Sequence, residues 1–356
     1  MKLLMTCDMV GGVWQYATDL SVALADQGVK VVLAVLGPSR PVDRRVGGVT
    51  VIESGLPLDW LAATRDEVLG AGHALATLAA AHDVDLVQLN APALGAATPW
   101  PAPVVAVAHG CVGTWCDAMG ERPGADLAWH RDLVRAGLLA ADAVVAPSTS
   151  HAAAVQRHYA LPTLPQVVHN GRRAAASAPV AVADHVLTAG RLWDRAKDVA
   201  LLDATAALLP VPLRAAGPAT GPRGETAETR HLHLLGRLDD GMLAAEYARQ
   251  PIFVSTARFE PFGLAVLEAA QAGCPLLLAG IDSFRELWTG AALFVTDDDP
   301  AAWAAAIGRV RADPALRAHL SEAARLRAAR YSVEAMAGAM AGLYRDLLAR
   351  LERRAA

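Results

Sequence analysis

The sequence predicts an α/β protein built from two doubly wound parallel-sheet units in tandem, and three observations predict it. Short apolar runs alternate with longer amphipathic stretches along nearly the whole chain, the pattern of strands buried on both faces by helices. The alternation breaks at an Ala-, Ser- and Pro-rich stretch from Gly171 to Asp184 and then restarts. The length, 356 residues, is too great for one ordinary core and suits two of about 150 to 200 residues.

Each element follows in order. Lys2 to Cys7 reads as a strand, Trp14 to Gln27 as a helix stopped near Gly28, and Lys30 to Leu36 as the next strand. A helix from Arg65 to Ala81 precedes the strands Leu86 to Asn90 and Val104 to Ala108. Leu127 to Ala140 is helical, Ala143 to Ala146 a strand, and Pro147-Ser148 opens a helix running to about Tyr159. Gln166 to His169 closes the first set. The second set has strands at Val186 to Ala189, Leu213 to Ala216, His233 to Leu235, Ile252 to Ser255, Pro275 to Leu278 and Ala292 to Val295. Helices lie at Asp198 to Leu209, between His233–Leu235 and Ile252–Ser255, at Pro300 to Arg311, at Pro314 to Arg330 and at Val333 to Arg353. The expected boundaries are a first unit at 1–172, a linker at 173–184, a second unit at 185–332 and a final helical segment at 333–356. Such units bind ligands beyond the carboxyl ends of their strands, so a cleft faced by both is the expected site.

Composition excludes several classes. With 32 basic and 36 acidic residues the formal net charge is -4, which gives no electrostatic basis for nucleic-acid binding. No apolar run reaches the length of a membrane span. Asp8 and Gly11-Gly12 interrupt the apolar start too early for a secretory signal, so a cytoplasmic location is expected. Cys7, Cys111, Cys116 and Cys274 lack zinc-type spacing; Cys111 and Cys116 could lie near a site, against the reading of small buried hydrophobes.

The strongest chemical signal is Phe259-Glu260-Pro261-Phe262-Gly263-Leu264-Ala265-Val266-Leu267-Glu268, which follows the strand Ile252 to Ser255. Pro261-Phe262-Gly263 forms a turn and Leu264 opens a helix stopped by Gly273. The amides of Phe262, Gly263 and Leu264 then lie at a helix N-terminus, where free N–H groups and the dipole suit an anion or a hydroxyl-rich ligand. Gly263 permits close approach to the backbone. Glu260 lies in the loop and Glu268 just over one turn into the helix, both placed to accept hydrogen bonds from hydroxyls. The plainer alternative is a capping carboxylate plus a solvated helix face.

From Phe259 to Pro275 the chain resembles the E-x7-E region of the retaining glycosyltransferases of family 4, which have the GT-B architecture of two Rossmann-like domains. Other segments match in family order. Gly11-Gly12 resembles the N-terminal glycine loop, and Ala146-Pro147-Ser148 with Val168-His169-Asn170-Gly171 resembles the end of the first domain. Ala189-Gly190-Arg191-Leu192 with Lys197 resembles the phosphate loop, and Leu235-Gly236-Arg237-Leu238 the base-binding turn.

The resemblance implies a nucleotide-diphosphate sugar as donor and co-substrate, with no cofactor. It puts Gly12, Gly190, Arg191, Lys197, Gly236, Arg237, Leu238, Glu260, Pro261, Phe262, Gly263, Leu264 and Glu268 at the donor, Glu268 on the ribose hydroxyls and Glu260 on the sugar hydroxyls. Arg191 and Lys197 would stabilise the two negative charges or so that develop on a departing diphosphate. The family usually has Gly after that lysine, and here Asp198 stands instead, which leaves the shape of the loop open. His109 ends a strand, where it can donate to a sugar oxygen; a structural His near a turn is the alternative. His109, Glu260, Arg191 and Lys197 are therefore the expected catalytic set. The first domain would bind the acceptor, and the last helix would pack back towards it.

No metal site is expected. Asp83-Val84-Asp85 leads into a strand at its amino end, the wrong end for a parallel sheet, and Asp297-Asp298-Asp299 precedes Pro300 as a helix cap. No glycosidase-like pair of carboxylates is evident; the family resemblance instead implies front-face attack, with the protein supplying orientation and charge stabilisation. The competing readings are a nucleotide-sugar epimerase or hydrolase on the same frame, and a non-catalytic nucleotide-sugar-binding protein. An oxidoreductase is disfavoured because the dinucleotide G-x-G-x-x-G loop is missing. The acceptor class, glycan, lipid or small molecule, is not legible. Arg40, Arg44 and Arg45 could touch an acidic lipid surface, against the reading of an ordinary solvated loop. Trp14 and Trp115 could line an acceptor site or pack as core.

Overall fold

Lys2–Asp8 (β1), Lys30–Leu36 (β2), Thr50–Glu53 (β3), Leu86–Leu89 (β4), Val104–Val107 (β5), Ala143–Ala146 (β6) and Gln166–Val167 (β7) form one parallel sheet of order β3-β2-β1-β4-β5-β6-β7. The computed structural model describes residues 1–38, 46–122, 124, 127–174 and 180–355, with side chains to 353. Arg40, Arg44 and Arg45 lie outside the described residues, as does the middle of the expected linker.

Strand alternation explains the two core layers of this sheet. Leu3, Met5, Leu33 and Val105 point to one face, where Tyr16, Leu20 and Leu24 of α1 (Val13–Asp26) cover them. Leu4, Val32, Val87 and Ala106 point to the other. There they meet Val68 and Leu75 of α2 (Arg65–Ala81) and, beyond the short α3 (Val112–Met119), Leu133 and Leu138 of α4 (Ala128–Ala140). Gly137 is required in α4: a Cβ there would sit 1.8 Å from the Pro92 carbonyl oxygen. Ser148 caps α5 (Thr149–Tyr159), accepting from the His151 amide at 3.3 Å.

The second sheet contains Val186–Ala189 (β8), Leu213–Ala216 (β9), His233–Gly236 (β10), Ile252–Ser255 (β11), Leu276–Ala279 (β12) and Leu293–Val295 (β13), all parallel, in the order β10-β9-β8-β11-β12-β13. Its helices are α6 (Val199–Ala206), α7 (Asp240–Ala248), α8 (Leu264–Gln271), α9 (Asp282–Trp288), α10 (Pro300–Ala312) and α11 (Pro314–Ala328). The chain divides into a unit of Met1–Gly171 with Val333–Ala356 and a unit of Arg172–Ser332. The last helix, α12 (Val333–Ala355), thus belongs with the first sheet, where Met336, Met340 and Tyr344 join the same layer as Tyr16 and Leu20.

Several elements depart from the sequence reading. β7 stops at Val167, before His169. One strand and two α-helices escape it: β3, whose residues are half-buried or exposed at an edge; α3, begun by a capping box between Cys111 and Thr114; and the seven-residue α9. Each is too short to show a period. Among the described residues no helix is long and apolar enough to cross a membrane.

Candidate functional site

In the second sheet the chain runs β8, β9, β10 in one direction and then crosses to β11, β12, β13 on the other side of β8. The crevice where this order reverses, between the carboxyl ends of β8 and β11, is where an open parallel sheet receives a ligand. The loop after β8 brings Gly190 and Lys197 there; the loop after β11 brings Glu260 and Gly263. Together with Thr188 and Ser255 these line a hollow of about 370 Å³, its opening to solvent included.

Both loops are locked. Thr256 donates through its hydroxyl to the Lys197 carbonyl at 2.9 Å, and the Arg258 amide donates to the Ala196 carbonyl at 2.8 Å. Asp198 adopts φ 50°, the left-handed region, and caps α6 through the Leu201 amide. It therefore takes up the conformation that suits the Gly usual at this position, which Asp tolerates better than most residues. Phe262 is buried edge-on against Tyr331, ring centres 5.5 Å apart, and anchors the turn that leaves Gly263 at φ 91° before α8.

The charges inside this crevice differ from the expected arrangement. Lys197 Nζ donates directly to Glu260 Oε2, so the cation expected at the diphosphate and the loop carboxylate expected at the sugar form an ion pair with each other. Arg191 donates to Asp194 Oδ2 at 2.7 Å, stacks over Trp193 at 5.5 Å and is not among the residues lining the hollow. Glu268 accepts from Arg172 Nε at 2.7 Å. Arg172 is held in turn by Gln271, whose side-chain amide donates to its carbonyl at 2.8 Å. Sequence reasoning missed Arg172, which follows Gly171 directly, because nothing local ties it to a helix 96 residues on.

The glycines at the strand ends are tightly stacked. A Cβ on Gly217 would fall 1.8 Å from the Gly190 carbonyl oxygen, and the Gly217 amide donates to the Gly236 carbonyl at 2.7 Å. Gly236 and Arg237 are exposed at the edge strand and Leu238 is half-buried, so the expected base-binding turn lies two strands away from β8. Pro261 and Leu264 flank the Phe262 turn, both partly open.

In the first unit His109 follows β5. The residue is half-buried, and its ring stacks edge-on with Tyr16 at 4.4 Å. His109 Nε2 lies 3.0 Å from Asn90 Oδ1. Burial pushes its pKa down to about 3, with His151 adding repulsion, so the ring is neutral at ordinary pH. Gly12 is exposed as the N-cap of α1 at φ -68°, which needs no glycine. Trp14 is partly buried against the core layer around Tyr16. Asp85 caps the amino end of the sheet, accepting from the Lys2 amide at 2.7 Å, and Asp299 caps α10, as expected for both.

Comparison with known proteins bears on both halves. Residues 10–174 match the family model described as Glycosyltransferase Family 4, and residues 183–313 match that described as Glycosyl transferases group 1. A D-inositol 3-phosphate glycosyltransferase of Corynebacterium urealyticum is 34% identical over 107 residues, covering 30% of this chain. The match spans only 25% of that relative's length. A sucrose-phosphate synthase of Thermosynechococcus elongatus superposes with TM-score 0.80 at 21% identity, over 98% of this chain and 100% of the other. Anabaena HepE in complex with UDP-glucose superposes with TM-score 0.76 at 19% identity, over 97% of this chain and 100% of the other. At such identities the superpositions establish the shared GT-B fold.

Proposed function

We propose that this chain, a member of the family 4 glycosyltransferases, moves a sugar from a nucleotide-diphosphate sugar to an acceptor hydroxyl with retention of configuration. One observation carries the reading: Gly190, Lys197, Glu260 and Gly263 meet at the switch point of the second sheet, beside a helix N-terminus. A diphosphate there gains the Lys197 ammonium and the amides opening α8, and a sugar gains the Glu260 carboxylate as acceptor for its hydroxyls. Glu268 receives the ribose hydroxyls, and the backbone at Gly236, Arg237 and Leu238 the base. HepE, of the same fold, is known in complex with UDP-glucose, which supports a nucleotide-sugar as the donor class.

The chemistry asks little covalent work of the protein. The acceptor hydroxyl enters on the face from which the diphosphate departs, and a diphosphate oxygen takes its proton. Lys197, with Arg191 released from Asp194, offsets the growing negative charge, so the reaction proceeds without metal. His109 completes the catalytic set, and the first unit holds the acceptor.

The test is a thermal-shift screen of nucleotide-sugars followed by transfer assays. A donor at about 100 times its Kd stabilises the fold by about 2.7 kcal/mol. Glu268→Ala and Arg191→Ala are expected to abolish the shift; variants that keep it sink the reading. The anomeric configuration of the product, read by NMR, decides retention. Donor turnover without an acceptor would favour the hydrolase or epimerase alternative, and binding without turnover the non-catalytic one.

A further inference from the structure

A chain of buried polar groups runs through the first unit from the last helix to His109. Tyr344 of α12 donates its phenol to Gln88 Oε1. Gln88 Nε2 donates to Asn90 Oδ1 at 3.0 Å and approaches the Tyr16 phenol at 3.4 Å. Asn90 Nδ2 donates to the Thr6 carbonyl of β1 at 2.6 Å, and the Asn90 amide donates to Thr6 Oγ1 at 2.9 Å. Gln88 and Tyr344 are fully buried and Asn90 is 8% exposed, so an unmade bond in this chain would carry its full desolvation cost.

The donor and acceptor roles are determined. The Thr6 carbonyl can only accept, so the nitrogen of the Asn90 amide must face it and the oxygen must face His109 and Gln88. That oxygen can only accept, so the proton of the neutral imidazole sits on Nε2. Gln88 must likewise turn its nitrogen to Asn90 and its oxygen to Tyr344, which becomes the donor. Sequence reasoning has His109 donating to a sugar oxygen; this network uses its one proton inside the protein and leaves Nδ1 as a lone-pair acceptor. Among the described residues Nδ1 has no hydrogen-bond partner.

We infer that Asn90 is a positioning residue that fixes His109 in its Nε2–H tautomer, so that Nδ1 accepts a hydrogen bond from a substrate hydroxyl. The inference rests on the reading of His109 as a catalytic residue. Gln88 and Tyr344 complete the network, which gives the last helix a part in the reaction. The titratable groups facing the ring are His151 of α5 and Tyr16 of α1, and Tyr16 stays a neutral phenol because burial raises its pKa beyond the accessible range.

The test is 15N NMR of histidine-labelled full-length protein, with His109→Phe identifying the His109 signals among the 11 histidines. The wild type is expected to show the Nε2–H tautomer from pH 5 to 8. Asn90→Ala is expected to give a mixture of tautomers and to lower kcat about tenfold, with the donor KM changed less than about threefold. Should Asn90→Ala fail to fold, Asn90→Asp keeps the shape. Its carboxylate should hold His109 doubly protonated near pH 6, again with kcat reduced. A wild-type Nδ1–H tautomer, or a tautomer unmoved in both variants, overturns the inference. A tautomer that shifts while Asn90→Ala and His109→Ala transfer sugar at the wild-type rate refutes instead the reading of His109 as a catalytic residue.

Discussion

Lys197 Nζ and Glu260 Oε2 form an ion pair that ties the loop after β8 to the loop after β11, across the point where the second sheet reverses its strand order. Each side chain is about one-fifth exposed, 19% for Lys197 and 20% for Glu260. A diphosphate that reaches Lys197 therefore competes with a carboxylate already there, and a sugar hydroxyl that reaches Glu260 competes with the ammonium. In the proposed reaction the pair holds both groups in place before the ligand arrives, and its charges are redistributed when the ligand binds. Lys197→Ala is expected to lower kcat/KM about a hundredfold, mostly in kcat, since the charge it stabilises develops as the diphosphate leaves. Glu260→Gln should act mainly on the choice among donor sugars. Steady-state kinetics with two epimeric donors separates these effects, and a Lys197→Ala enzyme of undiminished kcat would show that the diphosphate does not sit here.

The proposed metal independence rests on the same cations. Among the described residues no group of three or more His, Cys, Asp or Glu is placed to hold a metal ion. Turnover is expected to survive exhaustive EDTA treatment within about twofold. Activity lost to the chelator and restored by Mg²⁺ or Mn²⁺ would mean that the diphosphate arrives with its own cation.

Arg172 makes a second expectation. It grips Glu268 through Nε at 2.7 Å, with Asp240 4.0 Å from its other end, and neither side chain of the Arg172–Glu268 pair is more than 18% exposed. Removing one partner leaves the other charge poorly compensated, so Arg172→Ala should destabilise the fold by about 2 kcal/mol. It should also weaken nucleoside binding, because Glu268 loses the contact that orients it. Lysine supplies charge without the guanidinium geometry, and Arg172→Lys should recover stability better than binding. Melting curves with and without nucleoside diphosphate read both effects; equal recovery of the two would remove the orienting role.

The sequence makes the architecture legible because continuous apolar strands and Gly- or Pro-marked turns are local signals, and Ile252 to Ser255 followed by Pro261-Phe262-Gly263 is a clear instance. It places Lys197, Glu260 and Gly263 in strand-end loops of one sheet, where the structure brings them together. It is silent on who pairs with whom. That Lys197 would meet Glu260, that Arg191 would turn onto Asp194, and that Tyr344 would reach Gln88 are outcomes of sheet order and helix packing at separations of 63, 3 and 256 residues. Asn90 looks like an ordinary strand end until β1 and β5 flank β4 and supply Thr6 and the strand that leads to His109.

His109 also sets a pH expectation. The folded protein keeps it neutral to about pH 3, because burial and His151 disfavour the charged ring. The unfolded chain protonates it near its ordinary pKa of about 6.5. Below about pH 6.5 the unfolded state therefore binds the extra proton, and stability falls as the pH drops towards 3; above 6.5 the ring is neutral in both states and adds no slope. His185 shifts in the same direction, through burial and then Arg214, so it adds to the acid-side loss. Melting temperature against pH should fall on the acid side, less steeply for His109→Gln. A curve of identical slope in that variant would mean that the ring is not held neutral.

Two glycines allow core packing to be separated from the site. Gly137 lies in α4 with its missing Cβ 1.8 Å from the Pro92 carbonyl oxygen, in the first unit. Gly217 lies after β9 in the second unit at φ 137°, with its missing Cβ 1.8 Å from the Gly190 carbonyl oxygen. In neither case can a backbone carbonyl yield as a flexible side chain would, so each Gly→Ala change should destabilise its unit by about 3 kcal/mol or more. Their effects on the donor should differ. Gly217→Ala pushes on Gly190, a wall of the hollow that holds Lys197 and Glu260, whereas Gly137→Ala presses only on the turn at Pro92. At a temperature where both variants remain folded by circular dichroism, donor affinity should fall at least about tenfold in Gly217→Ala and stay within about twofold of wild type in Gly137→Ala. Equal losses in both would mean that general destabilisation, and not the position of Gly190, governs donor binding.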